Sequence, residues 1–223
     1  MCKCVEEKIM NVAEKQNFAR RLSEIRKIEK IIPSEKRAEH DIRDIAVGGV
    51  LSLYGKTYRV LAVATYTETD DLYAKEKSYV ATEYTLFCLE TGETHYIEWG
   101  VDDEVEISFT QKKLSRSAVH RNLAYDDGEI VDVDDMDEIF QKGWDVIYDG
   151  TTFSPEDDWP ARYVSDDGRS LYVYFYEFES ARGEQLTVEA WSDEPDDDGK
   201  WEYEIYLSSD VSTNSVQILS LGG

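Results

Sequence analysis

Basic residues are scarce in this chain: 24 Lys and Arg stand against 48 Asp and Glu in 223 residues, for a formal net charge of −24. The scarcity is uneven. Residues 1–43 hold 11 basic and 8 acidic residues, which leaves 13 basic against 40 acidic residues in the rest of the chain. A body so short of Lys and Arg cannot neutralise a phosphate backbone, so no direct nucleic-acid binding is expected of it. Cysteine is scarce too. Three residues, Cys2, Cys4 and Cys88, make an odd count that excludes a secreted disulfide framework. The three histidines, His40, His95 and His120, lie far apart, and Cys2-x-Cys4 with a remote His is a poor zinc signature. No apolar run approaches the length of a membrane span, and the first residues lack the apolar core of a signal peptide. A reducing cytoplasm fits these absences. A G-x-S-x-G elbow and a phosphate-cradling glycine loop are also missing, so there is no enzyme signature and no cofactor is expected.

What the chain does have is aromatic residues, fifteen Tyr, five Trp and seven Phe, placed with β periodicity. Side chains on a strand alternate between two faces. In Leu171–Phe178 this sets Leu171, Val173 and Phe175 on one face and Tyr172, Tyr174, Tyr176 and Phe178 on the other, which suits a central strand. Gln185–Trp191 alternates Leu186 and Val188 with Thr187 and Glu189, which suits a strand with one solvated face. Further strands are expected over Tyr58–Thr65, Glu83–Leu89, His95–Trp99, Val105–Thr110, Trp144–Tyr148, Ala161–Ser165, Trp201–Leu207 and Ser215–Leu219. Asp-Gly pairs at Asp127, Asp149, Asp167 and Asp198 mark tight turns, because such turns need a positive φ.

The first strand pair has an echo. The pattern G-E-x-x-x-[IV]-E occurs at Gly92–Glu98 and at Gly183–Glu189, Glu83-Tyr84 answers Glu177-Phe178, and Gly55–Tyr58 resembles Gly150–Phe153. The expected architecture is mainly β: two related antiparallel β-meander or small-barrel halves, about 44–143 and 144–223, packed as one acidic body. A helical segment in residues 1–43 precedes it. Its helix is expected from Val5 to Ile32, with Phe18, Leu22, Ile25, Ile28 and Ile32 as an apolar stripe. The acid-rich stretch Asp126–Phe140 reads as the connector of the halves, with a helical turn near Asp134–Phe140.

Two clusters of acids invite a chemical reading and neither carries it. Glu194–Gly199 begins like a calcium loop, but the twelfth position is Ile205 where a bidentate Glu is required. Trp201-Glu202-Tyr203-Glu204 resembles the alternating acids of triphosphate tunnels, which need interior Lys and Arg that this body lacks. The stripe Tyr172, Tyr174, Tyr176 and Phe178 offers either core or a recognition surface, since Tyr is enriched at binding hot spots.

Taken together, G-x-x-Y at Gly55–Tyr58, E-Y-x-L at Glu83–Leu86, Asp149-Gly150, the aromatic run Tyr172–Phe178 and L-x-V-E-x-W at Leu186–Trp191 resemble the domain of unknown function 4178 family. The resemblance runs from about Gly49 to Ile218. It implies no catalytic residues.

Three functions remain open. One is a non-enzymatic accessory module that binds a protein partner with a basic surface; another is an acidic mimic of nucleic acid that inhibits a defence or DNA-processing enzyme. The third, binding of a small molecule or polyamine, requires a pocket where carboxylates and Tyr or Trp rings converge. Whatever the function, forty acids concentrated by folding repel one another. Raising monovalent salt from low to about 0.5 M should therefore raise the melting temperature. A steady fall on adding NaCl, followed by circular dichroism, would show that attractive pairs dominate.

Overall fold

The fold was obtained as a computed structural model, which describes residues 11–70, 73–115, 123–195 and 201–223. Twelve strands follow one another in antiparallel pairs: β1 (Gly48–Leu53), β2 (Lys56–Thr69), β3 (Glu76–Cys88), β4 (Thr94–Val101), β5 (Val105–Leu114), β6 (Leu123–Ala124), β7 (Val146–Tyr148), β8 (Thr151–Ser165), β9 (Ser170–Ser180), β10 (Glu184–Ser192), β11 (Glu202–Asp210) and β12 (Gln217–Gly222). Eight of them close on themselves in the order β2-β3-β4-β5-β11-β10-β9-β8, with β8 returning to β2 through Ala64↔Ser165 to Glu68↔Ala161. The protein is thus mainly β, a closed antiparallel barrel with extra strands and an N-terminal helix. Four staves come from each expected half. The seams between the halves are β5–β11 and β2–β8.

Two strands are long enough to serve twice. The first part of β2 pairs with β1 (Val50↔Arg59 to Leu53↔Lys56) and its last part with β8. The first part of β8 pairs with β7, and its end with β2. Both outer hairpins turn on a two-residue left-handed pair, Tyr54-Gly55 (φ 50° and 73°) and Asp149-Gly150 (φ 48° and 79°), the conformation of a type I′ turn. The expected strand Ala161–Ser165 is therefore only the end of β8. The segment between its two pairings, which holds Pro155 and Pro160, has β9 on one side and, among the described residues, no strand on the other. Proline is tolerated at such an edge because no ladder bond needs its missing N–H.

The helix α1 spans Val12–Arg26 and opens with a capping box between Asn11 and Glu14. The expected continuation to Ile32 does not occur. Lys27 caps the helix, and Ile32 is held to β12 by its backbone N–H on the Leu219 carbonyl, 2.8 Å. Residues 5–10 of the expected helix lie outside the described residues. The apolar stripe is covered only in part: Phe18 is 49% and Ile25 44% exposed, Leu22 and Ile28 are half-buried, and Ile32 is buried. The barrel also offers polar partners here. Arg21 Nε donates to the Leu89 carbonyl (2.6 Å), Asn17 Nδ2 to that of Thr91 (3.0 Å), Glu24 pairs with Arg59 (2.7 Å), and Arg20 lies over the Phe87 ring at 4.5 Å. Further along, the Tyr84 hydroxyl reaches the carbonyls of Ile42 and Ile45 at 3.0 and 3.1 Å. That tyrosine pins the N-terminal segment to the outside of β3.

The connector forms α2, Met136–Lys142, ended by Gly143 at φ 62°. Asp132 caps the 3-10 turn that leads into it, accepting from the Asp134 N–H at 3.2 Å. The helix lies on the outer face of β9, where Phe140 meets Phe178 at 4.8 Å and Tyr176 at 5.4 Å between ring centroids. Core residues thus fall in three groups. One lies between the barrel and α2 and includes Met136, Ile139, Phe178, Leu186 and Val188; one lies beneath β1, β12 and the N-terminal segment and includes Ile42, Leu51, Tyr84 and Ile97; the third, with Tyr66, Ala81, Trp159, Ala161, Val173 and Phe175, is inside the barrel.

Because closure takes four staves from each side, residues 44–143 alone would expose both seams and lack half the wall. Open sheets of few strands are marginal. Expressed by itself, that fragment is expected to show no cooperative thermal transition, whereas the intact chain shows one.

Candidate functional site

Every second residue of a barrel strand faces the lumen, and in an eight-stranded barrel the lumen is just wide enough to be filled by side chains or to hold one small ligand. Here many of the inward positions are aromatic or acidic. Glu83 on β3 sits directly across from Glu98 on β4, and Glu189 on β10 directly across from Glu204 on β11. Like charges in register on one face of a sheet are destabilising. Glu177 on β9 adds a fifth carboxyl, opposite Thr187.

Aromatic rings stand among these acids. Trp159 stacks on Phe175 with centroids 4.2 Å apart, Tyr66 meets Phe175 at 5.2 Å and Tyr163 at 5.3 Å, and Tyr163 meets Trp191 at 5.2 Å. Trp191 Nε1 donates to Glu189 at 2.9 Å, the Tyr66 hydroxyl reaches Glu83 at 3.4 Å, and the Tyr206 hydroxyl donates to Glu204. Gly100 makes room for this packing. A Cβ there would fall 2.4 Å from the Tyr79 hydroxyl.

The lumen has two lobes. The first, about 200 Å³, is lined by Tyr79, Glu98, Glu177, Thr187 and Glu189, with exposed Glu106, Glu156, Glu179 and Asp210 around it. The second, about 310 Å³, is lined by Tyr66, Tyr163, Trp191, Glu202 and Glu204, with Arg169 as its one basic lining residue among the described residues. Glu83, Tyr96 and Tyr206 line both and mark the junction. Among the described residues, the first lobe has eight acidic lining residues and no Lys, Arg or His.

Confinement changes the acidity of these groups. Burial, reinforced by the charges of Glu177 and Glu83, pushes Glu98 up to about 8. Burial likewise pushes Glu83 up to about 7, against the Tyr66 hydrogen bond, and Glu177 up to about 7, against one from Trp159. Glu189 rises well above the usual carboxylate range through burial and the fields of Glu83, Glu98 and Glu204. Near neutral pH Glu83, Glu98, Glu177 and Glu189 therefore hold part of their protons.

The residues singled out from sequence lie elsewhere. Tyr172, Tyr174, Tyr176 and Phe178 point away from the lumen; Tyr176 and Phe178 are buried, and Tyr172 and Tyr174 are half-buried. The Tyr176 hydroxyl donates to Asp137 at 2.6 Å and that of Tyr174 to Asp158 at 2.7 Å. Cys88 is buried with its thiol 3.5 Å from Glu90, His95 stacks on Phe109, and His40 lies 3.5 Å from Asp44. Cys2, Cys4, His120 and the acids Asp196–Asp198 lie outside the described residues. Among the described residues, no group of three or more His, Cys, Asp or Glu side chains is placed to hold a metal ion, and no helix is long and apolar enough to cross a membrane.

The lumen glutamates sit inside the sequence motifs, where nothing in the pattern marks them as a site. Glu98 and Glu189 end the two copies of G-E-x-x-x-[IV]-E, Glu83 opens E-Y-x-L, and Glu177 precedes Phe178. The family description Domain of unknown function (DUF4178) matches residues 46–212, a span that contains all of them and every stave of the barrel. The chain belongs to the DUF4178 family. No curated protein and no solved structure matches it. The DUF4178 match begins just before β1 and ends just before β12, so it leaves out α1.

The raised carboxyls set a pH dependence. Between the ordinary carboxylate pKa and the raised values, the folded state holds more protons than the unfolded chain, so stability falls as pH rises. The lowered groups Glu24, Asp41, Glu90 and Asp167 act below that window. At constant ionic strength the melting temperature is expected to fall from about pH 5 to about pH 8, and Glu98→Gln is expected to flatten the fall. Differential scanning fluorimetry across the range checks both.

Proposed function

We propose that the barrel lumen is a binding site for small organic cations. The observation that carries this reading is the first lobe, where eight acids and, among the described residues, no basic residue surround a space walled by Tyr79 and Phe175. Such a lobe concentrates negative potential in low-dielectric surroundings, and a cation entering it relieves the repulsion between paired carboxylates. Ring faces add attraction for a desolvated ammonium. A metal ion fits less well, since a bare ion needs several oxygens converging on one point and the acids are instead spread along the lumen. Anionic ligands are repelled. The odd, few cysteines and the free, buried Cys88 suit a cytoplasmic setting for such a binder.

A second reading, a module that binds a protein partner, is favoured by α1, where Val12 is 72%, Phe18 49% and Ile25 44% exposed. It concerns the outside of the barrel and is compatible with the first.

Calorimetric titration with alkylamines and with carboxylates of equal size tests the lumen reading. Amines should bind and carboxylates should not. Amine affinity should rise as pH passes from about 6 to about 8, because the carboxyls must release protons to receive the cation. Glu98→Gln and Glu189→Gln should each weaken binding. Equal binding of amines and carboxylates, or amine binding unmoved by both substitutions, would remove the site from the lumen.

A further inference from the structure

One ammonium already stands beside the second lobe, against its lining residues Glu204 and Tyr206 though not itself part of the lining. Lys113 lies in register with Tyr206 across the β5–β11 seam, and the bulge between Leu207 and Ser208 shifts the alternation so that Lys113 shares the inward face of Tyr206. Its Nζ is 2.5 Å from Glu204 Oε1 and 5.2 Å from the centroid of the Tyr206 ring. Tyr206 in turn donates its hydroxyl to Glu204 and meets Tyr96 at 5.9 Å. The carboxylate, the ring and the hydrogen bond that orients them form a receptor for a primary ammonium on a methylene stem, which is what a lysine side chain presents.

We propose that the Glu204–Tyr206 end of the lumen is a primary-ammonium subsite, held by Lys113 when no ligand is bound and yielded to one charged end of a linear aliphatic diamine. The proposal rests on the cation-binding reading of the lumen and names its ligand class. The two lobes meet at Glu83, Tyr96 and Tyr206, so a flexible chain with an ammonium at each end places one charge among Glu98, Glu177 and Glu189 and the other at Glu204. A compact cation with one charge reaches only one of these positions. Lys113 can leave. Its side chain is 44% exposed and that of Glu204 38%, and an ion pair so open to water holds weakly, by no more than about fivefold in an equilibrium constant. Arg169 lines the same lobe, from a position at the β8–β9 turn that its backbone N–H fixes by donating to Ser165 and Asp167.

The test compares α,ω-diaminoalkanes with n-alkylamines of matching length by calorimetry on the full chain, with thermal melts to confirm that each variant folds. The wild-type protein should prefer the diamine. Lys113→Met should raise the ratio of diamine to monoamine affinity by up to about fivefold, and Glu204→Gln should abolish the preference. Lys112→Met removes the same charge from the neighbouring position, opposite Leu207, and should leave the ratio unchanged. A ratio that is unmoved by Lys113→Met, or moved equally by Lys112→Met, overturns the subsite and leaves cation binding standing. Failure of every amine to bind the wild-type protein overturns the lumen reading itself.

Discussion

In a closed barrel a strand has only an outside and a lumen, and side chains must alternate between them. This constraint organises the molecule. The outward residues of β3, β9 and β10, including Tyr84, Phe178, Leu186 and Val188, are buried by α2, by β1 and β12, and by the N-terminal segment. The inward residues are left with a narrow space that they alone define. The apolar core thus lies largely around the barrel as well as within it, and the polar alternates that an open sheet would give to water face one another.

That inversion explains which features are legible in the sequence and which are not. The strands are legible because Leu171–Phe178 and Gln185–Trp191 alternate, and the hairpins because Asp149-Gly150 and Asp167-Gly168 supply positive φ. The polar face of β10, Thr187 and Glu189, suits solvent by its pattern and yet faces the lumen. Alternation distinguishes two faces but does not say whether the polar one meets bulk water or a lumen; that depends on the pairing of β2 with β8, residues about a hundred positions apart in the chain. For the same reason the stripe Tyr172–Phe178 is compatible, by its pattern, with both core and surface. Two of its four residues are buried because α2, hidden in an acidic connector, lies over them. The docking face of α1 escapes the pattern as well. Apolar spacing points to Phe18 and Ile25, whereas Arg21, Asn17 and Glu24 find carbonyls and a guanidinium on the barrel.

The glutamate pairs set Glu83 against Glu98 and Glu189 against Glu204, at positions where Thr, Ser or an aliphatic residue would be less costly. With the lumen as a cation site, the charge of Glu83, Glu98 and Glu189 is relieved in two ways, by protons without ligand and by cations with it. Lys113 supplies the second kind of relief beside Glu204, away from the first lobe. Proton retention and cation binding are then opposite states of the same carboxyls.

The most direct test follows those carboxyls one by one. Carbon NMR titration of the glutamate side-chain carboxyls, assigned by Glu→Gln variants, should show Glu98 ionising at about 8 and Glu83 and Glu177 at about 7 in the absence of ligand. A saturating alkyl diamine should move all three down toward the ordinary carboxylate value. Ionisation of all three at about 4.3 without ligand, or values that stay put when the amine is added, would contradict the picture of a confined acidic lumen compensated by cations.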